Sequence, residues 1–252
     1  MPPVVAASTA SAAAAPPAPP QSVFLSAFNV EHAATVQPGT LQVDLGGFEG
    51  ADLGELSARK LVIGSRGGVV SLRRSAGYPS VVAAVSAADT ACTFLVDCDD
   101  PALAVPDLSP SPAPTAVTAW TSLIHGYIRD KSSRRRFDIA SIVAKRREGD
   151  CSEHAVLLTG VLRRAHVPSH VVIGFVLVDI AGQTRAFGHA WSEYHDGRAW
   201  QLADASNPPA LVARFSYVPL QIMRNEGPGF ALQMLSALNV AHVQRVVLPL
   251  AE

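Results

Sequence analysis

Hydrophobic and polar residues follow two different periods in the two parts of the chain. Before residue 100, short runs rich in Val, Thr, Phe and Leu are separated by Gly, Asp and Pro, a pattern typical of β-strands joined by turns. The predicted strands are residues 22–28, 40–45, 60–63, 68–72, 80–86 and 92–96. This part is therefore expected to be a small β-rich region, and its sequence contains no catalytic constellation.

After residue 114 the period becomes helical. Apolar residues recur every three or four positions over residues 117–128, which predicts a helix that begins near Thr115. A short helix is expected from Asp138, and a longer one over residues 151–166. Residues 171–178 are apolar on both faces, as in a central strand of a sheet. A helix packed on an antiparallel sheet, and hence an α+β fold, is the architecture that these elements predict.

Composition shifts divide the chain into four expected parts. Residues 1–20 form an uncharged Ala/Pro-rich arm, expected to be disordered. Residues 21–100 are the β-rich region, and residues 101–114 are a Pro-rich linker. Residues 115–252 are expected to form the domain with the candidate chemistry.

One cysteine lies where a helix is expected to begin. Gly149 should end the preceding helix, Asp150 is a good N-cap, and Glu153 completes a capping-box pattern. Cys151 would then be the first residue of the new helix, where the positive end of the helix dipole favours thiolate over thiol. This position suits a nucleophile, although a buried structural cysteine is the alternative interpretation.

A histidine and an aspartate are expected to face each other across the next hairpin. Asp196-Gly197 is a strong signal for a two-residue type I′ turn. Such a turn places His189 opposite Asp204, with Cβ atoms roughly 5 Å apart. A carboxylate beside an imidazole fixes its tautomer and stabilises its protonated form, as in a catalytic triad. An ordinary cross-strand pair remains the alternative.

Two segments resemble a known family. GDCSEHAVLLTGVLRRAHVPSHVV and FGHAWSEYHDGRAWQLADAS are similar to the core of the transglutaminase-like superfamily, a fold related to the papain-like cysteine peptidases. The resemblance covers about residues 115–210. It implies that Cys151 is the nucleophile, that His189 is the general base and acid, and that Asp204 orients His189. The residues after Asp204 depart mildly from the family pattern.

The resemblance implies a cysteine-dependent amide hydrolase or peptidase that acts on a peptide or protein through a thioester acyl-enzyme. Two alternatives stay open: a cross-linking protein-glutamine γ-glutamyltransferase, and a non-catalytic binding module on the same fold. A metal site is the competing chemistry. Only Cys151 and His154 have local ligand spacing, and the chain lacks CxxC and HExxH motifs, so no metal or other cofactor is expected.

Composition excludes further classes. The chain has 252 residues, 48% of them apolar, and a formal net charge of −1, which argues against a nucleic-acid partner. Its longest strongly apolar run, residues 171–178, is far shorter than the roughly 20 residues of a membrane span. With neither a span nor a signal peptide evident, a cytoplasmic location is expected. Cys92 and Cys98 flank a strand-like run, which would hold them too far apart for a disulfide unless the segment turns.

Overall fold

The computed structural model describes residues 24–45, 53–75, 77–104, 115–131, 137–234 and 243–250. The Ala/Pro-rich arm and most of the Pro-rich linker lie outside these ranges. The elements in chain order are β1 (Ser26–His32), β2 (Thr40–Asp44), α1 (Gly54–Ala58), β3 (Val62–Arg66), β4 (Val69–Arg73), α2 (Thr115–Tyr127), α3 (Ala140–Arg146), α4 (Cys151–Arg164), β5 (Ser169–Ile180), β6 (Gln183–His195), β7 (Trp200–Ala203), α5 (Pro209–Val212), β8 (Ser216–Ile222) and β9 (Arg245–Leu248). The predicted α+β class is confirmed.

The strands join into one mixed sheet. Its order is β3-β4-β2-β9-β1-β6-β5-β8, and β7 also pairs with β6. Strand β1 links the two ends of the sheet, because its first residues pair antiparallel with β6 and its last residues pair parallel with β9. Strands of the predicted β-rich region therefore share a sheet with strands from the second half of the chain.

Helix α4 supplies many residues of one of the three apolar clusters in the described core. Every residue from Cys151 to Arg163 is buried. Helices α2 and α3 pack against it, and it lies on β6. Since burial of apolar surface is the main favourable contribution to folding, this central position fixes the first turn of α4 relative to the sheet.

Strand β5 is the predicted central strand, paired with β6 on one side and β8 on the other. Its connection to β6 is a two-residue loop in which both Ala181 (φ 52°) and Gly182 (φ 79°) have positive φ, as a type I′ turn requires.

The turn observed at Asp196-Gly197 differs from the predicted type I′ turn. Only Gly197 has a positive φ there, and the loop between β6 and β7 is four residues long.

Two of the predicted strands are wrong. Residues 82–86 are irregular after a single bridge at Val81, and residues 92–96 bend instead of extending. The bend brings the Cα atoms of Cys92 and Cys98 to 5.0 Å, and the two cysteines form a disulfide. The expectation of no bridge is therefore wrong, because it rested on an extended segment.

None of the described helices is both long enough and apolar enough to cross a membrane.

Candidate active site

The first turn of α4 has the predicted capping structure. Asp150 is the N-cap, and its Oδ1 accepts hydrogen bonds from the backbone N–H and the hydroxyl of Ser152 at 2.9 and 2.7 Å. The Glu153 carboxylate accepts the backbone N–H of Asp150 at 3.0 Å. Gly149 has a φ of 151°, and a Cβ at this position would overlap the Glu153 side chain. Cys151 is consequently the first residue of the helix, with its backbone N–H free of intrahelical bonds.

His189 and Asp204 are hydrogen-bonded, although the predicted register is wrong. His195 pairs with Trp200 and not with Arg198, so β7 is displaced by two residues. A shift of two residues keeps every side chain on the same face of the sheet. The chain then turns after β7, and His189 Nε2 donates to Asp204 Oδ2 at 2.8 Å.

Asp204 accepts four hydrogen bonds in a buried setting. Oδ2 accepts from His189 and, at 2.7 Å, from the Tyr217 hydroxyl. Oδ1 accepts from the backbone N–H and the hydroxyl of Ser206 at 2.9 and 2.6 Å. Burial by itself would raise the pKa of Asp204, but the charge on His189 and these hydrogen bonds outweigh it and hold the pKa at about 2. Asp204 is therefore ionised at neutral pH.

Tyr217 and Ser206 are site residues that the sequence interpretation missed. Ser206 could have been found, because an Asp followed two residues later by Ser is typical of a side-chain-capped turn. Tyr217 lies on β8, and no local pattern connects that strand with Asp204.

Cys151 approaches the sheet beside His189. On one edge of β6, strand β1 pairs up to Gly188 and strand β7 pairs from Ser192, so neither strand covers residues 189–191. The backbone N–H of Ala190 in this gap lies close enough to the Cys151 sulfur to lower the pKa of the thiol. His189 is thus hydrogen-bonded to Asp204, and Cys151 lies beside Ala190, the residue that follows His189.

The remaining ring nitrogen of His189 faces no hydrogen-bond partner. Nε2 is occupied by Asp204, whereas Nδ1 is buried and unpaired. Because the ionised carboxylate can only accept, the proton of the neutral ring is on Nε2 and the lone pair is on Nδ1. Cys151 and His189 are not hydrogen-bonded to each other in this resting arrangement. Catalytic hydrogen bonds often form only when substrate is bound.

The expectation of an acidic Cys151 thiol is wrong for the resting site. Burial raises the pKa of Cys151 well above its ordinary value, and the negative charges of Asp150 and Asp204 add to this effect. The Ala190 N–H lowers the pKa, but by less. A neutral thiol is therefore the resting state of Cys151, and a base must remove its proton as it reacts.

The site is covered by the residues that precede β1. Cys151 and His189 are both 0% exposed. The Phe24 ring stacks on Phe187 and meets the His189 ring edge at a centroid distance of 5.2 Å. Leu25 belongs to the same apolar cluster as Cys151. A substrate can reach the thiol only if some of this cover moves.

A buried polar network begins at Trp191, whose ring packs against His189. The Trp191 ring stacks on His189, and its Nε1 donates to the Tyr78 hydroxyl at 2.8 Å. Tyr78 in turn donates to Glu193, whose carboxylate also holds Arg59 in two bonds of 2.8 and 3.0 Å. Arg59 and Tyr78 come from the first hundred residues. This region therefore contributes contacts that fix β6 at the site.

The histidines that could have bound a metal have other partners. His154 Nδ1 donates to the Asp150 carbonyl at 2.6 Å. His170 lies between Asp89 and Glu193, at 3.1 and 2.9 Å. Within the described ranges, no group of three or more His, Cys, Asp or Glu side chains is arranged to hold a metal ion.

The geometry agrees with a family match. Residues 103–205, a range that includes Cys151, His189 and Asp204, match the model of the transglutaminase-like superfamily. The resemblance inferred from the two segments is thereby confirmed for this part of the chain.

Similar solved structures cover less than half of the chain. A candidate cysteine protease from Cytophaga hutchinsonii is 16% identical, with a TM-score of 0.34, over 44% of this chain and 36% of its own. The periplasmic domain of TgpA from Pseudomonas aeruginosa, bound to ethylmercury, is 23% identical, with a TM-score of 0.33, over 44% of this chain and 46% of its own. No match was found among the curated proteins.

Proposed function

We propose that the protein is a cysteine-dependent amide hydrolase or peptidase with Cys151 as nucleophile, His189 as general base and acid, and Asp204 as the residue that orients His189. The observation that carries this proposal is the 2.8 Å bond from His189 Nε2 to Asp204 Oδ2, which leaves Nδ1 buried and without a hydrogen-bond partner. A histidine held in this tautomer is prepared to accept a thiol proton.

The proton and bond changes follow from these atoms. His189 Nδ1 takes the Cys151 Sγ proton while the sulfur attacks the amide carbonyl carbon, and the carbonyl oxygen becomes an oxyanion. The backbone N–H of Cys151, at the helix N-terminus, is a donor for that oxyanion. Collapse breaks the C–N bond, and the leaving amine takes the proton from His189. A thioester on Cys151 remains.

Water completes the cycle in a hydrolase. His189 removes a proton from the water that attacks the thioester, the C–S bond breaks, and the proton returns to the sulfur. An amine in place of water would give the cross-linking reaction instead. Asp204 stays ionised throughout, because its pKa of about 2 is far below neutral pH.

The test separates the three activities that the fold allows. Purified protein is incubated with casein and a fluorescent primary amine, and peptide release and amine incorporation are measured together. We expect peptide release in the wild type and in the control variant His195→Ala, which changes a histidine at the far end of β6. Loss of release in Cys151→Ser and His189→Ala supports the proposal. Amine incorporation alone would identify a cross-linking enzyme, and no covalent product would favour a binding module.

A further inference from the structure

A lysine outside the three proposed catalytic residues lies between the segments that hold Cys151 and Asp204. Lys131 Nζ donates to the His125 carbonyl oxygen at 2.6 Å and approaches His154 Nε2 at 3.0 Å. His154 is one helical turn after Cys151 on α4. His125 Nδ1 lies 3.1 Å from the carbonyl oxygen of Ala205, the residue after Asp204. The lysine is therefore tied to both sides of the candidate active site.

Among the residues that the structure describes, the hydrogen-bond roles leave one ammonium N–H of Lys131 without an acceptor. His154 Nδ1 donates to a backbone carbonyl, so its Nε2 lone pair accepts from Lys131. His125 Nδ1 donates to the Ala205 carbonyl and cannot also accept from Lys131, which lies 3.4 Å away. Two of the three ammonium N–H groups of Lys131 are used, and both of their partners are neutral.

The Lys131 charge also has no counterion within the parts of the chain that the structure describes. All the ion pairs found there involve other cations. Burial lowers the pKa of Lys131 to about 8, so the side chain is still cationic at pH 7. Burial and the nearby lysine lower the pKa of His154 to about 3, which keeps that ring neutral. With only neutral partners among the described residues, this half-buried cation is available to a ligand that supplies a negative charge.

We propose that Lys131, His125 and His154 form a carboxylate-binding subsite, and that the preferred acyl donor is a peptide or amide with a free carboxylate close to the scissile bond. The third ammonium N–H would donate to that carboxylate. His125 and Lys131 are partly exposed, so this side of the site is open to a ligand. The substrate role rests on the proposed hydrolase function, whereas carboxylate binding itself does not.

Binding is tested first, without reference to catalysis. The imidazole C–H signals of His125 and His154 are followed by NMR while the protein is titrated with sodium succinate, with sodium chloride as the ionic-strength control. We expect a saturable shift that is lost in Lys131→Gln and kept in Lys145→Gln, which removes the same charge at an exposed position. Linear shifts equal to those in chloride would overturn the subsite. If Lys131→Gln does not fold, the difference between succinate and chloride in the wild type still separates these two outcomes.

The link to Cys151 is tested with two alkylating reagents of similar size. The ratio of the rates for anionic iodoacetate and neutral iodoacetamide cancels changes in thiol reactivity. Loss of a charge-assisted hydrogen bond predicts a fall in this ratio of about tenfold or more in Lys131→Gln at pH 7. We expect no change in Lys145→Gln and partial recovery in Lys131→Arg.

The outcomes distinguish the two proposals. An unchanged ratio in Lys131→Gln would overturn the role of the subsite toward the acyl donor, even if succinate binds. A Cys151 that neither reagent alkylates, in a protein that binds succinate saturably, would overturn the proposed hydrolase and leave the carboxylate site standing.

Discussion

Tyr217→Phe removes one hydrogen bond from the candidate site and leaves the aromatic ring in place. The Tyr217 hydroxyl is 2.7 Å from Asp204 Oδ2, the oxygen that also accepts from His189. Burial and the negative charge of Asp204 raise the pKa of Tyr217 well above its ordinary value, so the hydroxyl is always protonated and donates. The variant therefore leaves a buried carboxylate with three of its four donors.

The size of the effect follows from Asp204. Its pKa of about 2, compared with an ordinary 3.8, corresponds to about 2 kcal/mol of folding free energy at neutral pH. A hydrogen bond to a charged group contributes about 1.5–3 kcal/mol. We expect Tyr217→Phe to lower the free energy of unfolding at pH 7 by about 2 kcal/mol and to raise the pKa of Asp204.

The pH dependence provides the decisive check. Because the folded pKa of Asp204 lies below its ordinary value of 3.8, its contribution is present above about pH 4 and is lost as the pH falls through about 2. Urea unfolding of wild type, Tyr217→Phe and the control Tyr194→Phe is measured from pH 3 to pH 7. The wild-type advantage over Tyr217→Phe should shrink toward the acid end. A constant difference, or an equal loss in Tyr194→Phe, would refute this account.

Three other predictions test the cover, the network and the disulfide. Cys151 should react with iodoacetamide several-fold faster in Phe24→Ala than in the control Phe28→Ala, because the Phe24 ring covers His189 whereas the Phe28 ring packs on a different part of the sheet. Equal rates would mean that Phe24 does not limit access to the thiol. Glu193→Gln should lower the free energy of unfolding by about 3–5 kcal/mol, since it removes the buried carboxylate that pairs with the buried Arg59 guanidinium, whereas the exposed Glu31→Gln should leave stability nearly unchanged; similar values from urea unfolding would contradict this. Thiol titration in denaturant should find one thiol per chain before reduction and three after, and three without reductant would show that the disulfide is absent.

The local signals in the sequence predicted the start of the site well. Asp150 and Glu153 form a capping box from backbone contacts within four residues, so the position of Cys151 at the helix start was predictable. The long apolar run of β5 likewise predicted a central strand, because the signal comes from consecutive residues. Each of these inferences uses only near neighbours in the chain.

The hairpin prediction gave the wrong turn and the wrong register, but it placed His189 and Asp204 on the correct face of the sheet. The loop has four residues because Asp196 Oδ1 accepts the N–H groups of Arg198 and Ala199, and Asp196 does not adopt positive φ. The resulting shift of two residues preserves the face on which Asp204 lies. A shift of one residue would have separated it from His189.

The features that escaped prediction are long-range. The contact of Tyr217 with Asp204 depends on strand order in the sheet. The cover over the site depends on Phe24, which contacts His189, and on Leu25, which shares an apolar cluster with Cys151; both are far away in the chain. Burial is also why the thiol pKa moves opposite to the direction that the helix end suggested. Short-range patterns contain no information on which residues cover a site.

The central claim is that His189 removes the proton from Cys151. The second-order rate of iodoacetamide alkylation, followed by intact mass at pH 7, tests it directly, because Cys151 is the one free thiol once the disulfide has formed. The account predicts that the rate falls by about a hundredfold or more in His189→Ala and is unchanged in His195→Ala. An equal rate in wild type and His189→Ala would contradict it.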